Sequence, residues 1–122
     1  MTSRRALGDF GERVAAAHLE AKGYTILEHN FSVPEAELDL IARDANTLVF
    51  VEVRTRRGAA DGIAAMSVNH RKAEKLLLAV DHYLDAHPAL ADTPMRIDVV
   101  TVELDRSGAV RAVTHYENAV RA

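Results

Sequence analysis

The sequence predicts a single α/β domain across residues 1–122, with its elements in the order helix, strand, strand, strand, helix, strand and strand. Apolar residues recur at helical spacing in residues 7–21 and 73–84, which predicts two helices. Side chains alternate between two faces in residues 37–54, which predicts a pair of adjacent strands. Two later segments, residues 95–104 and 109–120, are rich in β-branched residues and predict two further strands.

The composition is that of one soluble domain, because 48% of the residues are hydrophobic and 27% are charged. No apolar run approaches the roughly 20 residues that a membrane span needs, and the amino-terminal segment lacks the apolar region of a signal peptide. We therefore expect a cytoplasmic protein without a membrane partner. The chain contains no cysteine, so disulfides, thiolate zinc sites and thiol nucleophiles are excluded. Any bound metal must be held by oxygen or imidazole ligands.

The first helix is predicted over residues 7–21, with Gly23 as its stop signal. Its core stripe is predicted from the apolar residues at helical spacing, which are Leu7, Phe10, Val14, Ala17 and Ala21. Glu12 lies on a second stripe with Gly8, Ala15 and Leu19, and the small residues there would let the helix approach another element closely. Periodicity alone favours a solvated Glu12.

Residues 24–30 predict the first strand, and a connection containing Pro34 leads to a hairpin over residues 37–57. Alternation in the first hairpin strand places Glu37, Asp39 and Ile41 on one face and Leu38, Leu40 and Ala42 on the other. A two-residue turn at Ala45-Asn46 would pair Asp44 with Thr47, Ile41 with Phe50, Asp39 with Glu52, and Glu37 with Arg54. Two carboxylates that face each other repel, and a divalent cation between them would reverse the sign of that interaction.

The second helix is predicted to begin after Asn69, a typical N-cap residue, and to run to about residues 87–88. Its first turn carries Arg71 and Lys72, and positive charge at this end of a helix dipole costs about 0.3–1 kcal/mol per charge, which a bound phosphate would offset. Lys72 lies at the edge of the apolar stripe, and a role in function and a solvated position both stay open for it. Residues 58–66 predict a loop, and Asp98 is expected to pair with a neighbouring arginine.

The formal net charge of −3 argues against non-specific binding of nucleic acid, but the charge is unevenly distributed. Residues 54–75 contain two acidic residues and six basic ones, which are Arg54, Arg56, Arg57, Arg71, Lys72 and Lys75. This segment is the candidate contact surface for a nucleic-acid backbone. For Arg71 and Lys75 the alternative is a solvated helix face.

The predicted element order is that of the restriction-endonuclease-like core, in which helices flank a mixed central sheet. Eight short motifs or single positions point the same way: Gly8-Asp9-Phe10-Gly11-Glu12 with Ala15 and Leu19, Gly23-Tyr24, Asn30, Glu37-Leu38-Asp39-Leu40-Ile41-Ala42, Val49-Phe50-Val51-Glu52-Val53, Lys72, Arg96-Ile97-Asp98-Val99-Val100, and His115 with Asn118-Ala119. In this combination the chain resembles the YraN-like family of small bacterial proteins. That family belongs to the PD-(D/E)XK nuclease superfamily and is similar in its core to archaeal Holliday-junction resolvases.

The resemblance implies a metal-dependent site that hydrolyses phosphodiester bonds in DNA, including branched or otherwise structured DNA by analogy with the resolvases. Asp39 and Glu52 would be metal ligands, joined by the Val53 carbonyl and by Glu12 directly or through water. Such a ligand set suits magnesium, with manganese as the alternative. Resolvase-like enzymes generally act as dimers, so a homodimer is compatible with the resemblance.

Three positions depart from the family pattern. Arg54 stands where the motif has a lysine, and because arginine stays protonated it can stabilise a phosphate but cannot act as a base. Lys72 is the candidate that supplies the missing ammonium, while Ser32 and Ala36 replace the usual arginine and glycine. Two functions therefore stay open. One is a magnesium-dependent endonuclease, and the other is a catalytically impaired nuclease-fold protein that binds nucleic acid or a protein partner.

Overall fold

The computed structural model describes residues 4–58 and 69–120, and shows a five-stranded mixed sheet flanked by two helices. Its elements are α1 (Arg4–Ala21), β1 (Thr25–Val33), β2 (Ala36–Asp44), β3 (Thr47–Arg57), α2 (His70–Ala86), a short 3₁₀ helix (Pro88–Leu90), β4 (Met95–Leu104) and β5 (Val110–Val120). The strands follow one another in chain order across the sheet, and only β3 and β4 run parallel. The α/β class and the element order predicted from the sequence are confirmed.

The ends of the helices follow the sequence signals. α1 stops at Gly23, whose φ of 96° is readily adopted by glycine, and the amide of Tyr24 returns to the carbonyl of Leu19. Asn69 caps α2 as predicted, because its side-chain oxygen accepts a hydrogen bond of 2.8 Å from the amide of Lys72. β1 continues three residues beyond its predicted end. The loop predicted for residues 58–66 lies, after Gly58, outside the described residues.

The two helices cover opposite faces of the sheet and create two hydrophobic layers. The layer under α1 includes Ala15, Leu19, Leu40, Val49, Val51, Val100 and Val102. The layer under α2 includes Leu38, Ile41, Phe50, Leu76, Val80, Tyr83 and Ile97. β3 lies at the centre, and its alternating side chains enter both layers, so this strand is buried on both faces. Within the described part of the chain, no helix has the length and apolar character that a membrane span requires.

The predicted core stripe of α1 is wrong for its last two members, because Ala17 and Ala21 are exposed. The buried side of the helix instead carries Gly11, Ala15 and Leu19. Gly11 allows close approach to β3, since a methyl group there would overlap the side chain of Thr55. The close approach expected beside Ala15 and Leu19 is present, but it occurs at Gly11 rather than at Gly8, which meets no atom within 4 Å.

β2 does not alternate as predicted. Leu38 packs in the same layer as Ile41, whereas Leu40 packs in the other layer. The ladder to β3 has the predicted register from Asp44–Thr47 to Leu40–Val51, but it ends there, so the predicted pairs Asp39–Glu52 and Glu37–Arg54 lie beyond it. On the other side, Asn30 lies opposite Asp39 in step with the flanking pairs and has a φ of 54°. Regular strand geometry is thus interrupted at Asp39.

A buried ionic network joins β4 to β5. Asp98 is fully buried and accepts hydrogen bonds from Arg96 Nε at 3.1 Å and from the amide of Asn118 at 2.8 Å, while His115 Nε2 lies 2.7 Å from it. Burial alone would raise the pKa of Asp98, but the hydrogen bonds from His115, Asn118 and Arg96 hold that pKa below its usual value. The predicted pairing of Asp98 with a neighbouring arginine is confirmed.

Two glycines of α1 should respond in opposite ways to replacement by alanine. Gly11→Ala is expected to lower the free energy of unfolding by about 1–3 kcal/mol, because the added methyl group pushes α1 away from Thr55. Gly8→Ala is the control, because a methyl group there meets no atom within 4 Å. It should raise stability by about 0.5–1 kcal/mol through helix propensity. Urea unfolding of the two variants measures both effects, and equal shifts would contradict the close contact at Gly11.

Candidate metal centre

Asp39 and Glu52 meet where β2 parts from β3. Their carboxyl groups share a hydrogen bond, and Asp39 Oδ2 also accepts a hydrogen bond of 2.7 Å from the backbone amide of Val53. Glu52 is only 6% exposed. The facing carboxylates expected from the hairpin register therefore do converge, but through side chains rather than as a ladder pair.

The shared hydrogen bond means that this pair retains a proton at neutral pH. Burial, the hydrogen bond to Glu52 and the charge of Glu52 raise the pKa of Asp39 to about 9, while the Val53 amide opposes the shift. Two carboxyl groups that share a hydrogen bond cannot both ionise without a cost in free energy. A bound cation would reverse this preference, because it favours the charged form of both carboxyl groups.

Glu12 of α1 approaches the carboxyl group of Asp39. Burial and the charges of Glu37 and Asp9 raise the pKa of Glu12, and a hydrogen bond with the Asn30 side chain lowers it. Glu12 is half-buried, so the solvated position favoured by periodicity is wrong. One carboxylate oxygen from each of Glu12, Glu37 and Asp39 lies within 4.8 Å of the other two, an arrangement that could hold a metal ion.

Glu37 is the metal-ligand candidate that the sequence reasoning missed. Its predicted partner was Arg54, but Glu37 pairs with Ser32 across the β1–β2 ladder and accepts a hydrogen bond of 3.1 Å from the Ser32 hydroxyl. The signal that could identify Glu37 is its position two residues before Asp39 on β2, because alternate residues of a strand share one face. The sequence likewise identifies Asn30 only as a motif residue, whereas in the structure its side chain forms a hydrogen bond with Glu12.

Lys72 reaches the site from the first turn of α2. Its Nζ lies 3.0 Å from Glu52 Oε2, and its side chain is 43% exposed while that of Glu52 is 8% exposed. Lys72 is therefore directed toward the sheet, and its role in function stays a prediction. The ammonium group therefore neutralises one carboxylate of the pair from the solvent side.

The remaining predicted site residues surround this cluster less directly. Arg54 is half-buried on β3, two residues after Glu52 and opposite Thr101 of β4. Arg56 and Arg57 are exposed at the end of β3, and the guanidinium of Arg57 donates a 2.8 Å hydrogen bond to the carbonyl of Arg106. The other two, Arg71 and Lys75, are exposed on α2. The role of these side chains in binding nucleic acid stays a prediction.

A groove of about 490 Å³ opens beside Glu12 and Glu37. It is lined by Arg5, Gly8, Asp9, Glu12, Asn30, Ser32 and Glu37. The two small residues, Gly8 and Ser32, keep the groove wide beside Glu12. Three acidic side chains, Asp9, Glu12 and Glu37, line this groove together with one basic side chain, Arg5. The groove therefore favours binding of a cation over binding of an anion.

The fold and site define an α/β protein with a carboxylate cluster at the point where two strands of its sheet part. The model of the "Uncharacterised protein family UPF0102" matches residues 11–102, and the chain belongs to this family, which confirms the YraN-like resemblance. UPF0102 proteins from Roseiflexus castenholzii and Beutenbergia cavernae are 41% and 45% identical to it. The first alignment covers 98% of both chains, and the second covers 91% of this chain and 93% of the relative.

A solved structure, that of a FdxN element excision controlling factor protein from Anabaena variabilis, is similar to 86% of this chain and 98% of its own. The TM-score is 0.36 and the sequence identity is 13%, values too low to carry an argument about function.

The raised pKa of Asp39 predicts a pH dependence of stability in EDTA. The folded-state pKa of about 9 lies above the unfolded value of about 3.9, so this contribution to stability is complete below about pH 4 and is lost as the pH rises toward 9. The expected slope is up to about 1.4 kcal/mol per pH unit, and Asp39→Asn should remove it. Denaturant unfolding from pH 5 to 9 measures the difference between the two proteins.

Asp81→Asn, on the exposed side of α2, is the matched control for this experiment and should keep the wild-type slope. A wild-type slope in Asp39→Asn would contradict the assignment of the shared proton to the Asp39–Glu52 pair.

Proposed function

We propose that this protein is a metal-dependent endonuclease that hydrolyses phosphodiester bonds in DNA, with magnesium or manganese as its cofactor. The observation that carries the proposal is the convergence of two carboxyl groups, Asp39 and Glu52, with the ammonium of Lys72 3.0 Å from Glu52. Buried carboxylates that face each other weaken a fold unless a partner of positive charge joins them. The family resemblance supplies the reaction that such a partner would serve.

The donor set fits a hard divalent cation, because it offers carboxylate and carbonyl oxygens and no sulfur. Asp39 and Glu52 would hold the ion, with Glu12 and the Val53 carbonyl as further ligands in the set that the resemblance implies. The geometry also offers Glu37 together with Glu12 and Asp39. When bound, the ion would supply positive charge that orients the scissile phosphate and stabilises its transition state.

The side chains around the carboxylates have complementary tasks in this proposal. Lys72 places an ammonium beside Glu52, where it can contact a phosphate oxygen or orient the attacking water. Arg54 adds the positive charge of a guanidinium, a group that does not act as a base in proteins. Asn30 holds Glu12 at the entrance of the groove through their hydrogen bond. Arg56, Arg71 and Lys75, all exposed, would contact the DNA backbone away from the reacting phosphate.

Cleavage assays should separate the residues of the centre. With magnesium and a labelled four-way DNA junction, Asp39→Asn and Glu52→Gln are expected to lose cleavage by at least about 10³-fold, because each removes a ligand. Lys72→Met should lose about 10²-fold, the effect typical of removing one charged contact to the transition state. Glu20→Gln, on the exposed side of α1, should cleave like wild type. Equal cleavage by wild type, by Asp39→Asn and in EDTA would refute the proposal.

Calorimetric titration with manganese should show which carboxylates hold the ion. Asp39→Asn is expected to weaken binding by at least about 10-fold, because Asp39 belongs to both candidate ligand sets. A comparable loss in Glu52→Gln with little change in Glu37→Gln would favour the set implied by the resemblance. The opposite result would favour the set with Glu37, and undiminished binding in Asp39→Asn would contradict both sets.

The alternative function is nucleic-acid binding without cleavage, and two observations favour it. Arg54 stands at the position of the motif's lysine, and the ammonium of Lys72 forms an ion pair of 3.0 Å with Glu52. This alternative expects no cleavage with magnesium or manganese, yet salt-dependent binding that Arg56→Gln and Arg71→Gln weaken. Each lost phosphate contact should reduce the salt slope by about 1. Binding that neither substitution changes would count against any nucleic-acid role for these residues.

A further inference from the structure

A line of three side chains leads from the interior of the sheet to the surface beyond α1. Asp98 of β4 is fully buried, and the side chain of His115 on β5 is only 2% exposed. His115 Nε2 lies 2.7 Å from Asp98 Oδ2, and His115 Nδ1 lies 2.7 Å from Nζ of Lys22. Lys22 directly follows α1 and is exposed. The line therefore ends in a primary amine that solutes can reach.

One proton at most bridges Lys22 and His115, because two would place two positive charges 2.7 Å apart. Burial alone would raise the pKa of Asp98, but its hydrogen-bond donors hold that pKa below its usual value, so Asp98 is a carboxylate at neutral pH. The carboxylate accepts a hydrogen bond from Nε2–H of His115, which leaves the lone pair of Nδ1 directed at Nζ. The imidazole is thus arranged to take a proton from Lys22, and Asp98 would stabilise the imidazolium that results.

Two further side chains enclose this pair of nitrogen atoms. The ring of Tyr24 makes an edge contact with His115, with centroids 5.6 Å apart, and its centroid lies 5.9 Å from Nζ of Lys22. His18 of α1 lies on the other side, where burial and the charges of Lys22 and His115 lower its pKa. An uncharged His18 does not compete for the Asp98 carboxylate, so the amine and the imidazole keep each other as partners.

We propose that Lys22 is a nucleophile that accepts an acyl group from an activated acyl donor, either an acyl phosphate or an acyl thioester. His115 is its general base, and Asp98 positions the imidazole. A nucleophile within hydrogen-bond reach of a base that a third group orients is the arrangement typical of nucleophilic catalysis. Glu12 lies ten residues before Lys22, about 15 Å away along the helix axis. The proposal therefore concerns a second site and does not depend on the nuclease activity.

The reaction converts the side chain of Lys22 into an amide. The nitrogen of the amine forms a bond to the acyl carbon, while the bond from that carbon to the phosphate oxygen or the thiol sulfur breaks. The leaving group departs with the electron pair of the broken bond. Of the two protons that the ammonium loses, one passes through His115 Nδ1 to the leaving group and the other goes to solvent.

The three lysines of the chain allow a test within one molecule. Wild-type protein is treated at pH 7.5 with acetyl phosphate or, separately, with an acetyl thioester, and acetylation of each lysine is followed by peptide mass spectrometry. Lys22 should react at least about 10-fold faster than Lys75, which is exposed on α2, because a general base typically contributes about 10²-fold or more. In guanidinium chloride the two lysines should react at equal rates, which controls for their detection.

A preference for Lys22 with either donor supports the proposal and identifies the class of donor. Equal rates at Lys22 and Lys75 in the folded protein with both donors would overturn it. A slower rate at Lys22 would also overturn it, because that is the result expected when the hydrogen bond to His115 is only structural. This comparison uses the wild-type chain, so it does not depend on the folding of any variant.

Substitution of the base tests the assigned roles. His115→Gln should lower the rate at Lys22 to that of Lys75, because an amide does not accept the proton, while the rate at Lys75 stays unchanged. Asp98→Asn should lower the same ratio of rates, because a neutral amide does not stabilise an imidazolium. His82→Gln, at an exposed histidine of α2, is the matched control and should keep the wild-type ratio. Fast acetylation of Lys22 that persists in folded His115→Gln would refute the role of His115.

Discussion

The hydrogen bond between the carboxyl groups of Asp39 and Glu52 is the interaction on which the geometry of this site depends. It requires β2 to leave β3 after the Leu40–Val51 pair, and the left-handed backbone of Asn30 accompanies that departure on the neighbouring strand. The same asparagine then binds Glu12. Gly11 completes the arrangement, because its close contact with Thr55 holds α1 against β3 and so keeps the adjacent Glu12 beside the carboxyl pair.

Apolar packing on the other face brings the positive charge to the site. The ring of Tyr83 on α2 makes edge contacts with Phe31 of β1 and Phe50 of β3, with ring centroids 5.1 and 5.7 Å apart. These contacts anchor α2 over the strand that carries Glu52, two residues beyond Phe50. The Asn69 cap fixes the first turn of the helix, and Lys72 extends from that turn to Glu52. A hydrophobic cluster thus positions an ion pair that has little stabilising value of its own at a partly exposed site.

The sequence was sufficient for features that depend on neighbouring residues, and insufficient where packing between elements decided the outcome. The Asn69 cap and the turn-end register of the β2–β3 hairpin follow from local geometry, and both are confirmed. Which side of α1 is buried depends on how closely the helix approaches β3. The periodicity of the sequence carries no information about that distance. Glu37 was assigned to Arg54 because strict alternation was extended past Asp39, where the structure shows that the ladder ends.

Asp98 and Asp39 lie in the same sheet but in different electrostatic surroundings. Asp98 is surrounded by donors, and their hydrogen bonds outweigh burial and lower its pKa, so its charge is satisfied within the protein. Asp39 faces Glu52 instead, with only the Val53 amide as an opposing donor, and its pKa rises to about 9. The sheet surrounds Asp98 with hydrogen-bond donors, whereas it places a second carboxyl group beside Asp39. That contrast supports a divalent cation as the partner of Asp39 and Glu52, since a cation would replace the shared proton and satisfy both charges together.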